Sequence, residues 1–231
     1  MDLETWISPE HLDQETLRRY RGLLADDPAR IVVVRNFLQA KVADTLAGFL
    51  SSAAEFEVEH GLYSVDGGVS IERWREAPEE DRFFRFGKMS GVKPAAALSD
   101  EALAYMRFRS FLAGDAFRDY MQALSGIEIG PSDNFGAHAH GVGDFLKDHD
   151  DSDKGRRLAV VLYLTRGWKP EHGGELVMVE PSGTPRGFEA EYNSIAVFDT
   201  LAGTTHRVEP VLETAGSLVR RTIGGWFPGP R

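Results

Sequence analysis

The sequence predicts an α+β fold in which an N-terminal helical layer supports a C-terminal antiparallel double-sheet barrel, or jelly roll. Three observations carry that prediction. Apolar positions up to about residue 126 recur mostly at helical spacing, the spacing changes to two from Ile127 onward, and the later part is cut into short apolar segments by Gly, Pro, Asn and Asp. With 231 residues, 42% of them hydrophobic and 27% charged, the chain has the composition of a globular protein long enough to bury a core.

The elements follow in order. SPEHLDQETLRRYRGLLADD has an expected N-cap at Ser8, Pro9 just inside, and Leu12, Leu17, Tyr20 and Leu23–Leu24 near helical spacing, which predicts a first helix. Arg30–Phe37, RIVVVRNF, reads as a buried strand because three successive valines are stiff at χ1 and suit a pleated surface. Lys41–Phe56 predicts a second helix, and Asp100–Leu112 with Asp115–Leu124 a helix pair broken at Gly114. Tyr63–Pro94 holds Gly67–Gly68, four arginines and three phenylalanines without a steady period, so a long loop with short strands is expected there. The later strands are expected at Asp144–Lys147, Leu158–Thr165, Glu175–Val179, Ser194–Phe198, Thr205–Pro210 and Leu218–Phe227.

Composition excludes several classes of function. Cysteine is absent, so disulfides, thiolate metal sites and cysteine nucleophiles are ruled out and any metal must rest on His, Asp and Glu. Lys plus Arg number 26 against 36 Asp plus Glu, a net charge of -10 that argues against broad nucleic-acid binding. No apolar run approaches the roughly 18 residues of a membrane span, and MDLETWISPEHLDQE lacks the basic and apolar regions of a secretory signal. The expectation is a cytoplasmic protein with neither membrane nor nucleic-acid partner.

Of the seven histidines, His149 and His206 are the informative pair. His149 is followed at i+2 by Asp151, and on extended backbone residues two apart face the same side. His206 lies on another expected strand of the same sheet system. Two histidines and one carboxylate on one face, with the remaining positions open, suit non-haem Fe(II) that activates O2. An H-x-D triplet alone is more often a solvated turn than a ligand set.

The neighbouring residues add weight. LAVVLYLT runs on from the acidic loop, followed by Trp168, the pair Gly173–Gly174, Glu175–Leu176, His206 and finally VRRTIGGWF. In order and spacing, Phe135 to Pro228 resembles the Fe(II)/2-oxoglutarate-dependent oxygenases of prolyl-hydroxylase type. HDDSDKGRRLAVVLYL, GGEL and GGWFPGP are most similar to the subgroup that hydroxylates a prolyl residue of a ribosomal protein, and FLAGDAFRDYMQAL resembles the helix before its catalytic barrel.

The resemblance implies a double-stranded β-helix, with residues 1–126 as a helical layer carrying a substrate or lid loop at 63–94 and residues 127–231 as the catalytic jelly roll of one compact unit. It implies His149, Asp151 and His206 as catalytic iron ligands, with 2-oxoglutarate and O2 as cosubstrates and ascorbate as a stimulatory reductant. Arg220, six residues before Trp226, takes the place of the arginine that holds the distal carboxylate of 2-oxoglutarate, a task suited to a planar, two-pronged guanidinium. Strand alternation puts Arg220, Thr222 and Trp226 on one face and Arg221 and Ile223 on the other. Thr222 stands where the family has serine, and Tyr163 at its cosubstrate-contacting tyrosine.

Three departures from the pattern stand out. YLN is YLT, Tyr163–Thr165; the tyrosine often found nine residues before the first ligand is His140, which leaves substrate contact, an outer donor role or simple packing open; and an insertion near Glu213–Ser217 is expected to enlarge a surface turn. The substrate expected is a protein, a peptide or an amino acid, with His140, Trp226 and the loop residues Arg73, Arg75, Arg82 and Arg85 as candidate contacts. The rival readings are a hydroxylase of free or carrier-tethered amino acids and, from another class, a jelly-roll sensor or binding module without turnover. The sequence leaves the oligomeric state open.

Overall fold

The computed structural model describes residues 2–152 and 155–230. Its first helix, α1 (Gln14–Asp26), starts later than the sequence suggests, because Asp13 rather than Ser8 accepts from the free N–H groups of Glu15 and Thr16. Ser8 precedes a short 3₁₀ turn and donates its hydroxyl to Leu38 O at 2.9 Å. Strand β1 (Ile31–Val34) is followed by α2 (Ala40–Ser52), which stops short of the expected end because β2 (Ala54–Leu62) begins two residues on.

The stretch expected to be a long loop is largely regular. It holds β3 (Val65–Val69), the short helix α3 (Ile71–Glu76) and the eleven-residue strand β4 (Arg82–Val92), which pairs with β2 along most of its length. Aperiodic sequence misled here because β4 is half-buried on both faces, so no alternation of apolar and polar residues marks it. The helices α4 (Asp100–Leu112) and α5 (Asp115–Ser125) match expectation, broken at Gly114 and closed by a left-handed Gly126 at φ 73°.

The remaining strands are β5 (Phe135–His140), β6 (Phe145–His149), β7 (Arg156–Tyr163), β8 (Leu176–Val179), β9 (Pro185–Phe188), β10 (Ser194–Asp199), β11 (Thr205–Val208) and β12 (Arg220–Pro228). All described strands join one curled antiparallel sheet in the order β1-β10-β7-β12-β5-β4-β6-β11-β8-β9, with β2 and β3 attached at β4. Strands β1 and β4, from the N-terminal part of the chain, are thus hydrogen-bonded among strands from the C-terminal part. Among the described residues no helix is long and apolar enough to cross a membrane.

Alternation along the central strands builds two cores. Leu158, Val160 and Leu162 of β7 and Ile223 and Phe227 of β12 pack against the helices with Phe108, Phe111, Phe117 and Leu124. Ala159 and Tyr163 turn the other way, into the curl of the sheet, with Leu176, Met178 and Phe198. Burial on both faces explains why LAVVLYLT is continuously apolar.

Asn193 ties the helical side to this sheet. It adopts φ 57°, and its side chain accepts from Leu38 N at 2.9 Å and donates to Leu38 O at 2.8 Å, while its backbone N–H donates to Tyr163 O. Asn193→Ala removes both side-chain bonds from a buried backbone and places a Cβ-bearing residue without a local hydrogen bond in the left-handed region. A loss of about 2–4 kcal/mol, read from urea unfolding, is expected. Asn193→Gly, which keeps the backbone freedom, should recover part of that loss.

Candidate metal and cosubstrate site

The site forms where β6, β11, β7 and β12 face one another across the curl. His149 ends β6 and pairs with His206 on β11, while Leu146 pairs with Val208, so the chain bulges by one residue between the two pairs. The bulge points both Leu146 and His149 inward although they lie three residues apart. His149 Nδ1 donates to Lys147 O at 3.0 Å, which assigns the proton to Nδ1 and leaves Nε2 as a lone pair. The ring centroids of His149 and His206 are 4.1 Å apart.

Asp151 completes the group. Its Oδ1 is 3.9 Å from His149 Nε2 and its Oδ2 is 3.4 Å from His206 Nε2, and one donor atom from each of the three residues lies within 4.8 Å of the others. Two further groups hold the carboxylate: Trp226 Nε1 donates to Oδ2 at 2.6 Å, and the Arg156 guanidinium donates to Oδ1 at 2.7 Å while stacking 3.9 Å over the Trp226 ring. Burial pushes the Asp151 pKa up, but His206, His149 and the Trp226 N–H outweigh it and bring it to about 2. Burial, followed by the neighbouring His206, lowers that of His149 to about 4. At neutral pH the carboxylate is charged and His149 is neutral, the protonation a divalent cation requires of such ligands. The residues therefore fit a metal.

A cavity of about 130 Å³ opens from the triad. Arg220 lines it and is only 2% exposed, with Nε lacking a partner and no described carboxylate forming an ion pair with it. Its guanidinium lies 5.0 Å from the Tyr163 ring centroid, and burial lowers its pKa. A buried guanidinium without a counter-charge is costly, and an incoming carboxylate would relieve that cost. Tyr163 is buried with its hydroxyl unpartnered, and burial raises its pKa. Thr222 is buried between Tyr163 on β7 and His138 on β5.

His140 pairs with Arg220 across β5 and β12 and also lines the cavity. It is 4% exposed, neither ring nitrogen has a partner, and its ring stacks on Phe86 at 5.2 Å. Burial, then Arg220 and His138, lower its pKa well below the usual value, so it is neutral.

The other expected contacts are placed differently. None of the four loop arginines lines the cavity. Arg73 and Arg75 sit exposed on α3; Arg82 donates to Trp74 O and Arg75 O and stacks on the Trp74 ring; Arg85 faces the buried Asp144 at 3.3 Å and braces the turn between β5 and β6. The loop's aromatic residues do reach the site: Phe86 lines the cavity, and Phe83 stands edge-on to His149 at 5.6 Å with Tyr63 stacked on it. Trp226 lines the cavity and, besides the contact expected of it, donates its N–H to Asp151. Arg156 and His138 escaped the sequence reading. Their only signals are that Arg156 follows Asp151 by five residues in the acidic loop, whose Asp153 and Lys154 lie outside the described residues, and that His138 shares a strand face with His140.

Comparison with known proteins agrees with this geometry. Residues 135–228, the stretch that supplies all three triad residues and Arg220, match the 2OG-Fe(II) oxygenase superfamily. This stretch is a 2OG-Fe(II) oxygenase domain. Members of that superfamily use Fe(II) and 2-oxoglutarate with O2. The chain is similar to prolyl 3-hydroxylase OGFOD1 of Mus musculus, 31% identical over 120 residues, which is 49% of this chain and 22% of that protein. It is also similar to OGFOD1 of Xenopus laevis, 25% identical over 158 residues, covering 66% of this chain and 29% of that protein. The chain thus spans under a third of these relatives' length. Among solved structures, the oxygenase fold is shared with a Pseudomonas putida prolyl-4-hydroxylase (TM-score 0.59, 20% identity, 93% of this chain and 100% of that one). It is shared too with a Trichoplax adhaerens prolyl hydroxylase in complex with a hypoxia-inducible-factor peptide fragment (TM-score 0.63, 15% identity, 93% and 90%).

Two outcomes follow for the oxygenase domain. Trp226→Phe keeps the ring and loses the N–H on Asp151, so calorimetric Mn(II) titration should show affinity reduced by about 10–100-fold, as for other outer partners of metal ligands. The second concerns pH. Burial, then Lys88 and Arg220, lower the His138 pKa from 6.5 to about 4, so protonation opposes folding. The stability linked to His138 is complete above about pH 6.5 and is lost as pH falls toward 4. His138→Gln should make the decline of urea-derived stability across that window shallower, with His140 retaining the same sign of dependence.

Proposed function

We propose that the protein is an Fe(II)- and 2-oxoglutarate-dependent dioxygenase that hydroxylates a C–H bond of a prolyl or other amino-acid residue within a polypeptide. One observation carries the reading: a His-Asp-His triad and a buried, unpaired arginine face the same cavity. A sensor module has no physical need to hold such a charge without a partner.

In this reading His149, Asp151 and His206 hold the iron and Arg220 takes the distal carboxylate of 2-oxoglutarate, with the Tyr163 and Thr222 hydroxyls and the unbonded His140 ring as neutral partners. When bound, iron and 2-oxoglutarate supply the oxidative chemistry that turns 2-oxoglutarate and O2 into succinate and CO2 while one oxygen atom enters the substrate C–H bond. The chain's own work is positioning and exclusion. Trp226 and Arg156 fix the Asp151 oxygens, Lys147 O holds the Nδ1 proton of His149, and Val161, Leu176, Phe198, Val208 and Phe86 wall the cavity against water.

The cavity favours a polypeptide over a free amino acid. Asp151 and Arg220 are its only charged lining residues among those described, and both are assigned to iron and cosubstrate. Nothing charged remains to pair with a free ammonium and carboxylate, so the main substrate would present its target from outside, at the rim formed by Phe83 and Tyr63. The names of the relatives, prolyl hydroxylases, support the same substrate class. The cytoplasm is the proposed place of action, which fractionation of a tagged chain tests.

The experiment is iron-dependent succinate release from 2-oxoglutarate, with mass spectrometry of prolyl peptides and of free proline for the gain of one oxygen. His149→Ala, Asp151→Ala and His206→Ala should each abolish turnover. Arg220→Ala should raise the 2-oxoglutarate requirement by roughly 10- to 100-fold through loss of a charge-assisted contact, whereas Arg221→Ala, on the other strand face, should change it little. Retained activity in His206→Ala, or oxygen gain on free proline alone, would overturn the assignment.

A further inference from the structure

The motif of Trp168 with Gly173–Gly174 contributes no group to the metal and does not line the cavity, yet it lies directly behind Arg220. Gly173 and Gly174 both adopt positive φ, 69° and 68°, a pair of conformations that L side chains rarely take. The turn is pinned on several sides. Gly173 N donates to Pro170 O at 3.0 Å, Trp168 Nε1 donates to Gly173 O at 3.1 Å, and Leu212 N donates to His172 O at 2.9 Å.

The space these glycines leave empty is specific. A Cβ on Gly173 would lie 2.4 Å from Pro210 O, so this glycine lets the turn close on the segment after β11. A Cβ on Gly174 would stand 3.0 Å from Arg220 Cδ, and 3.3 Å from both Trp168 Cζ2 and Val211 Cγ2. The aliphatic stem of Arg220 therefore rests in a notch made by a missing side chain, with the Trp168 ring as a second wall. Arg220 faces the cavity and the notch does not, so the notch supports it from behind.

We infer that Trp168 and Gly174 are positioning residues that set how far the Arg220 guanidinium reaches into the cavity, and with it the length of 2-oxo acid the site selects. The inference rests on the assignment of Arg220 to the distal carboxylate. With the 2-oxo acid end held at the triad, the depth of Arg220 acts as a stop, and an acid one methylene shorter or longer loses alignment with the guanidinium. A methyl group at Gly174 pushes the stem toward the cavity; loss of the Trp168 N–H loosens the turn behind it.

The test is calorimetric titration of the Mn(II)-loaded protein with five-carbon 2-oxoglutarate, four-carbon oxaloacetate and six-carbon 2-oxoadipate. The natural chain should prefer 2-oxoglutarate by about tenfold or more, the scale of discrimination that one methylene provides. In Gly174→Ala and Trp168→Phe that preference should shrink to within about threefold through weaker 2-oxoglutarate binding, with Mn(II) affinity unchanged. Trp168→Phe carries the test should Gly174→Ala fail to fold. If both folded variants keep affinity and preference while Arg220→Ala loses them, the notch has no such role and the cosubstrate assignment stands. If Arg220→Ala also keeps them, both fall.

Discussion

The Asp151 carboxylate is the point at which the separate parts of the oxygenase domain become a single site. Its two oxygens face His149 at the end of β6 and His206 on β11, and they are held by Trp226 from β12 and Arg156 from β7. Four strands thus meet on one buried group of 4% exposure. A charge this deep is tolerated only when its oxygens are bonded, so the same contacts that make the carboxylate affordable also aim it. Removing any of them would disturb both terms together.

A second buried charge sits across the cavity. Arg220 has aromatic and apolar neighbours, Tyr163 and the Trp168 side of the Gly174 notch, but no acid among the described residues. The two charges are handled in opposite ways: Asp151 is satisfied by the protein, whereas Arg220 has no counter-charge among the described residues. In the proposed function that asymmetry would separate a metal end, already organised around Asp151, from an anion end whose desolvation cost is met before a carboxylate binds.

The helical side makes this arrangement possible without touching it. By packing on the outer faces of β7 and β12, the helices leave alternate residues of the same strands free to face inward, and the strand period of two then delivers Arg220, Thr222 and Trp226 to the cavity in one row. Asn193 couples the two sides, joining Leu38 beside the helices to the backbone of Tyr163 in the cavity wall. The strands β2 and β4, absent from the simple alternating pattern, close the remaining side and bring Phe86 and Phe83 to the site.

Much of this was legible from residue order alone. The change of period near residue 127, the continuous apolar run of β7, the i,i+2 spacing of His149 and Asp151 and the parity of Arg220 against Arg221 are local properties, and local properties survive into the fold because strand geometry repeats every two residues. The first helix began at Asp13 rather than Ser8 because the backbone N–H groups nearest the helix core are the ones Asp13 reaches. What the tertiary structure alone decided is which groups meet across strands. Trp226, which lines the cavity, also became a donor to Asp151, Arg156 joined it, Arg82 and Arg85 turned to the protein's own acceptors, and Gly174 came to lie behind Arg220. The contacts of Trp226, Arg85 and Gly174 join residues tens of positions apart and are set by sheet register and curl, while those of Arg156 and Arg82 close turns five to eight residues long; no periodicity within a single segment encodes either.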